Sequence, residues 1–336
     1  MRLDLELGRI EEWVRRGGYR RVLIQSPLGL RHAAITVAET LRRMNVETLL
    51  SGSNCWGGCD VAYREAEALG ADAIIHMGHP RFLGRDRMPT YYLECRYMDP
   101  EPLLKVAEKA VNLLHDGGTV GVGVTAQWLN HLDLLLRRLR ERGVDAVAGD
   151  AGGVVRHVGQ VLGCAYGGLL GLEGRVSAYL VFGSIFHGLG LALLTRKPVY
   201  GADPFAQKVE ELGPRAEKIL AQRYAMIEGF KRAERIGVVV SLKPGQMRRG
   251  LALKLREIVE RWGRGADLVV LDEVSEQALT DLPHQAFINT ACQRLSIEDQ
   301  QRIKKPLLLP SEALVAMGKL RWEGVVRTPR YFSMEV

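Results

Sequence analysis

Residues 235–241 read RIGVVVS, residues 247–263 read MRRGLALKLREIVERWG, and residues 266–273 read ADLVVLDE. The first run is short, apolar and β-branched, as a strand buried on both faces requires. The second carries the 3.6-residue apolar period of an amphipathic helix. The third is another buried strand. Apolar strands alternating with helices imply a parallel sheet with both faces covered.

Working outward, the same phase recurs twice upstream. RRVLIQS (20–26), the helical RHAAITVAETLRRM (31–44) and VETLLS (46–51) form one copy. GTVGVGVT (118–125), AQWLNHLDLLLRRLRERG (126–143) and VDAVAGD (144–150) form another. Third strands follow in ADAIIHMGHP (71–80), SAYLVFGS (177–184) and HQAFINTAC (284–292). Fourth strands follow in PTYYLE (89–94), KPVYGAD (197–203) and KPLLLPS (305–311). The reading is an α/β chain made by domain triplication, with three similar domains around a common centre. Boundaries are expected at 1–99, 100–213 and 214–336. Asp99-Pro100-Glu101-Pro102 supplies the first linker. Residues 205–233 read as a long charged connecting helix interrupted at Gly213-Pro214.

Composition narrows the class. Apolar content of 47% and charged content of 25% are those of a soluble globular chain. Five cysteines are too few and too scattered for a disulfide framework and fit a reducing, cytoplasmic compartment. Residues 1–20, MRLDLELGRIEEWVRRGGYR, read as an amphipathic charged helix and not a targeting segment. Between Arg175 and Arg196 no charged residue occurs, which approaches a membrane span in length. That stretch parses instead as strand SAYLVF, loop GSIFHG and helix LGLALLT, so no membrane role is expected. The net charge of +7 fits an acidic partner. The basic residues are spread out, and clusters such as Arg137-Arg138-Arg140 sit on helix-like segments, so no direct nucleic-acid role is expected.

Cys59, Cys164 and Cys292 stand one in each third, each after a strand, where open α/β sheets bind ligands. Three converging thiolates are soft donors suited to an iron–sulfur cluster. A cubane on three cysteines leaves one iron open to substrate. The alternative is that they are buried small hydrophobes. Cys55 competes with Cys59, and composition does not choose between them. Cys95, after the fourth strand, reads as structural.

Other motifs fail. LVVLDE (268–273) imitates a nucleotide hydrolase strand, but G-x-x-x-x-G-K-[ST] occurs nowhere in the chain. The glycines of Gly121-Val-Gly123-Val-Thr-Ala126 fall inside a strand and not in the turn a dinucleotide fingerprint needs. No C-x-x-C pair is present. Cys55-x-x-x-Cys59 opens a radical-enzyme triad whose third position is Ala62.

QSPLGL (25–30), GGCDVA (57–62), GHP (78–80), GQVLGC (159–164), GSIFHGLG (183–190), SLKPGQ (241–246) and NTACQR (289–294) occur in an order and spacing that span the chain. In these segments the chain resembles the archaeal diphthamide-synthesis enzymes, the 2-(3-amino-3-carboxypropyl)histidine synthases of noncanonical radical S-adenosylmethionine chemistry. The resemblance implies a 4Fe-4S cluster on Cys59, Cys164 and Cys292, which favours Cys59 over Cys55. It implies a homodimer, an external electron donor and S-adenosylmethionine as substrate. Family enzymes break the bond from sulfur to the methionine γ-carbon. They transfer a 3-amino-3-carboxypropyl radical to a histidine of translation elongation factor 2 and release methylthioadenosine. The quinolinate synthases, iron–sulfur enzymes of dehydrating condensation on the same triplicated plan, are the alternative. Gln25, His79, Gln127, His187 and Gln246 are polar candidates at strand ends for S-adenosylmethionine. Lys243 and Asp203 are candidates for its carboxylate and amine. Each of these has the plain alternative of a loop or capping role.

Overall fold

The computed structural model describes residues 2–114 and 117–334. The first repeat holds α1 (Leu7–Gly17), β1 (Arg21–Gln25), α2 (Arg31–Arg42), β2 (Glu47–Leu50), α3 (Tyr63–Ala68), β3 (Ala73–Met77) and β4 (Thr90–Leu93). The second holds α4 (Glu101–Val111), β5 (Val120–Val124), α5 (Leu132–Glu141), β6 (Ala146–Ala148), α6 (Gly167–Leu170), β7 (Ala178–Phe182), α7 (Ile185–Ala192), β8 (Val199–Asp203) and β9 (Lys208–Glu211). The third holds α8 (Gly213–Lys231), β10 (Arg235–Ser241), α9 (Arg249–Arg261), β11 (Gly265–Leu271), α10 (Glu276–Thr280), β12 (Ala286–Asn289), α11 (Gln293–Ile297), β13 (Leu307–Leu308) and α12 (Pro310–Ala316).

The repetition is topological as well as sequential. The sheets run β2-β1-β3-β4, β6-β5-β7-β8-β9 and β11-β10-β12-β13. Their first four strands pair in parallel throughout. In each repeat the first strand lies between the second and third, which places a strand-order reversal at the middle of every sheet.

The opening motif explains itself at β10. Ile236, Val238 and Val240 enter the core beneath α8, α9 and α12, while Val239 enters the core on the opposite face with Phe287. Both faces are covered, so no alternation with polar residues survives. The glycines of β5 serve the same packing. A β-carbon on Gly121 would meet Tyr179 at 2.8 Å, and one on Gly123 would meet Val161 at 2.5 Å. The partial dinucleotide fingerprint is therefore a sheet face thinned for large neighbours.

Two expectations are corrected. Residues 205–233 are not one interrupted helix. Lys208–Glu211 form β9, which pairs antiparallel with β8. Pro214 lies in the first turn of α8, where a missing amide hydrogen costs nothing and a fixed φ assists. The expected loop GSIFHG is already helical from Ile185, since α7 begins there. Among the described residues no helix is long and apolar enough to cross a membrane.

α8 is anchored by a buried polar cluster. Arg223 donates to both carboxylate oxygens of Glu312, to the Ser296 carbonyl at 2.7 Å and to the Leu307 carbonyl at 2.8 Å. Tyr331 donates to Glu312 at 2.7 Å. Each buried charge is thus paired and hydrogen-bonded, the condition under which such burial is tolerated.

Candidate functional site

Segments following β2, β3, β5, β6, β7, β10, β11 and β12 line one cavity of about 730 Å³. Cys59, Cys164 and Cys292 all reach it. Their electrostatics bind them together. Burial pushes the Cys59 thiol up to about 11, opposed by the Gln246 amide and reinforced by Cys292. Burial also raises Cys164, and Cys292 and Cys59 add to it. Cys292 is raised by burial against the backbone amide and guanidinium of Arg294. Three thiols raised by desolvation, two of them raised further by a neighbouring thiol, are poor thiolates alone. A positively charged iron centre would remove that penalty.

The cysteine loops are held across repeats. The Gly245 N–H donates to the Cys59 carbonyl at 2.8 Å, and the Gln246 amide donates to Cys59 Sγ at 3.3 Å. Lys243 Nζ lies 2.9 Å from Asp60 and 3.2 Å from Glu273. Trp56 Nε1 donates to Glu273 at 2.9 Å. These contacts latch the first repeat to the third. Gln293 donates its side-chain amide to the Cys164 carbonyl at 2.8 Å, joining the third to the second. Gln127 donates to the Gly78 carbonyl at 2.8 Å, joining the second to the first.

Of the sequence-derived candidates, His79, Gln127, His187, Lys243 and Gln246 line the cavity with the three cysteines. Burial lowers His79 to about 4. Burial, and then the charge of Arg294, lowers His187 to about 3. Both imidazoles are therefore neutral near pH 7. Burial opposes the Lys243 ammonium, but Asp60 and then Glu273 outweigh it and raise its pKa. Two candidates lie outside the lining. Gln25 is buried beneath it, donating to the Asp60 carbonyl at 2.7 Å and accepting from the Ala62 amide at 3.0 Å. Asp203 accepts from the Phe205 and Ala206 amides at 2.8 and 3.0 Å, fixing the turn from β8 to β9. Cys55 is buried beside His79, 3.8 Å from its Nδ1. Cys95 is buried in the core of the first sheet, its Sγ 3.5 Å from the Leu93 carbonyl.

Two residues that the sequence reading passed over complete the site. Arg294 stacks over Phe186 at 3.9 Å and pairs with Glu298 at 2.6 Å. Arg248 donates to the Thr290 and Ala291 carbonyls at 3.1 and 2.8 Å. Both guanidiniums lower the Cys164 thiol after the stronger effects of burial and the other thiols. Arg294 stands two residues after Cys292 in NTACQR, so its position was visible. Its reach to Phe186 was not. Three soft sulfur donors from three repeats, with two cations to balance a thiolate-rich cluster, fit an iron–sulfur cubane and leave room beside it.

The profile of the diphthamide synthesis protein family matches residues 26–327. The chain belongs to the diphthamide synthesis family. Among its relatives, the 2-(3-amino-3-carboxypropyl)histidine synthase of Pyrococcus horikoshii is 34% identical, over 91% of this chain and 88% of the relative. Subunit 1 of the Gallus gallus synthase is 26% identical, over 92% of this chain and 76% of the relative. The crystal structure of Dph2 from Pyrococcus horikoshii with a 4Fe-4S cluster superposes with a TM-score of 0.87 at 32% identity. That match covers 95% of this chain and 92% of that one. The triplicated fold is thus that of a diphthamide synthesis enzyme.

Proposed function

We propose that this chain is a 2-(3-amino-3-carboxypropyl)histidine synthase, catalysing the first step of diphthamide biosynthesis on a histidine of translation elongation factor 2. One observation carries the reading: thiols from three separate repeats meet in one cavity, in a chain similar to an enzyme that holds a 4Fe-4S cluster. Cys59, Cys164 and Cys292 would hold that cluster. When bound and reduced, the cluster supplies the electron that cleaves the sulfonium of S-adenosylmethionine between sulfur and the γ-carbon.

The chain's own residues supply position and dryness. Gln246 steadies Cys59 Sγ. Arg248 and Arg294 set a cationic field beside the thiols. Neutral His79 and His187, with Gln127 and Gln246, offer uncharged polar contacts in which no proton need move. Lys243 keeps its charge for Asp60 and Glu273, so its first role is to hold the Cys59 loop, and a contact to the substrate carboxylate is secondary. Gln25 and Asp203, engaged elsewhere, drop out of the proposed substrate set. The partner is elongation factor 2, drawn to a basic surface. A homodimer, an external electron donor and a cytoplasmic location complete the proposal.

The quinolinate-synthase alternative is not favoured, because the matched relatives, covered over 88% and 76% of their length, are named 2-(3-amino-3-carboxypropyl)histidine synthases. Anaerobic reconstitution, reduction with dithionite and chromatography of the nucleoside product test the assignment. Methylthioadenosine is expected, with mass added to elongation factor 2. Mainly 5′-deoxyadenosine, or quinolinate from small precursors, would overturn it.

A further inference from the structure

Cys55, His76 and His79 stand together outside the proposed cluster ligands, with their donor atoms within 4.8 Å of one another. Cys55 lies on the loop after β2, His76 is in β3, and His79 follows β3 directly. The His79 Nδ1 is 3.2 Å from His76 Nε2 and 3.8 Å from Cys55 Sγ. A tetrahedral zinc ion with Zn–N of about 2.05 Å and Zn–S of about 2.3 Å separates two nitrogens by about 3.4 Å, and nitrogen from sulfur by about 3.6 Å. The two spacings match those of a zinc site once the His79 proton moves to Nε2 and frees Nδ1 to ligate.

The hydrogen bonding behind the triad is a second and independent observation. The Gln25 amide is oriented by its partners, because its Nε2 donates to the Asp60 carbonyl and its Oε1 accepts from the Ala62 amide. That same Oε1 lies 2.8 Å from His76 Nδ1. The proton of His76 therefore sits on Nδ1, and the lone pair of Nε2 points at His79. A histidine that donates one ring N–H to a fixed carbonyl and bares the other nitrogen is the arrangement found behind metal-bound imidazoles. Two neutral imidazoles and one thiol make a borderline-soft donor set that suits zinc better than magnesium or calcium.

We propose that Cys55, His76 and His79 form a zinc site separate from the iron–sulfur cluster. His79 reaches the large cavity while Cys55 and His76 lie behind it. The fourth ligand, a water or a substrate donor, therefore comes from the cavity side. Binding expels the Cys55 thiol proton to solvent, with no change of oxidation state. The ion would tie the loop carrying Cys59 to the end of β3. The assignment is independent of the cluster, which uses other cysteines.

The test is metal analysis of the anaerobically reconstituted holoenzyme after equilibration with zinc sulfate. The wild-type chain is expected to hold about one zinc in addition to its iron, and Cys55→Ala to lose the zinc while keeping the iron. Cobalt(II) offered to the wild-type holoenzyme gives a second readout: a thiolate-to-cobalt charge-transfer band is expected, which Cys55→Ala abolishes. Zinc-free wild-type protein without that band would reduce the triad to a hydrogen-bonded histidine pair and overturn the proposal. Loss of iron from Cys55→Ala would overturn it differently, by making Cys55 a cluster ligand.

Discussion

Gly245 and Cys59 touch through their backbones: the Gly245 N–H donates to the Cys59 carbonyl across 2.8 Å, and a β-carbon at 245 would stand 2.6 Å from that of Cys59. The two residues come from the third and first repeats. This contact sets how deeply Cys59 enters the cavity. Gly245→Ala should therefore push the Cys59 loop outward, with an overpacking cost of about 1–3 kcal/mol. Iron content after reconstitution should fall while the circular dichroism spectrum stays native. Full iron occupancy in this variant would show that the contact does not set the ligand position.

Lys243 and Asp60 make the second latch between the same repeats. Both side chains are close to fully buried, at 11% and 9% exposure, and Glu273 shares the ammonium at 3.2 Å. Lys243→Met leaves two carboxylates facing each other without a cation. The cost should be about 3 kcal/mol in denaturant unfolding, because an unpaired charge stays buried. Adding Asp60→Asn removes the stranded charge and should recover part of the loss. Strictly additive losses would mean that the pair is not coupled.

The fold was legible where local pattern carries it. RIGVVVS and its two counterparts announce parallel strands because both of their faces are apolar, and the helices between them keep their period. β9 was not legible, since KVEE (208–211) is charged and lies beside a long helical pattern. Only the fold brings it against β8. The three cysteines were legible as candidates, one after a strand in each third, and all three line one cavity. The choice between Cys55 and Cys59, four residues apart, depends on which one faces the cavity, and no spacing encodes that. Arg294 over Phe186, and Lys243 on Asp60, are contacts between repeats far apart in sequence, so local reading finds the residues and not the partners.

His187 should make the protein acid-sensitive. Burial, and then Arg294, holds its imidazole from the ordinary 6.5 down to about 3. The unfolded chain takes up a proton below 6.5 and the folded chain does not, so stability is complete above 6.5 and is lost as pH falls toward 3. The slope from this one group approaches about 1.4 kcal/mol per pH unit. Denaturant unfolding of iron-free protein across that window should show a shallower loss for His187→Asn than for the wild type. Equal slopes would remove His187 as the source.

The cysteines separate into classes that iron analysis can rank. Cys59, Cys164 and Cys292 line the cavity; the Cys59 thiol is raised by Cys292, and the Cys164 thiol by both of the others. Losing one thiolate leaves two anchors and an exposed, labile cluster. Single alanine substitutions at these positions should lose most iron and most methylthioadenosine production. Each variant should still fold, because the six apolar clusters among the described residues lie on the two faces of the three sheets and draw on none of these thiols. Cys95→Ala removes only a small buried side chain from the first core, so iron and product should persist with a modest fall in melting temperature. Cys55 sits behind the cavity with the two histidines, and Cys55→Ala should keep its iron. If Cys55→Ala emerges iron-free while Cys59→Ala stays loaded and active, the first-repeat ligand is Cys55, and the Gly245 and Gln246 contacts to Cys59 serve packing alone.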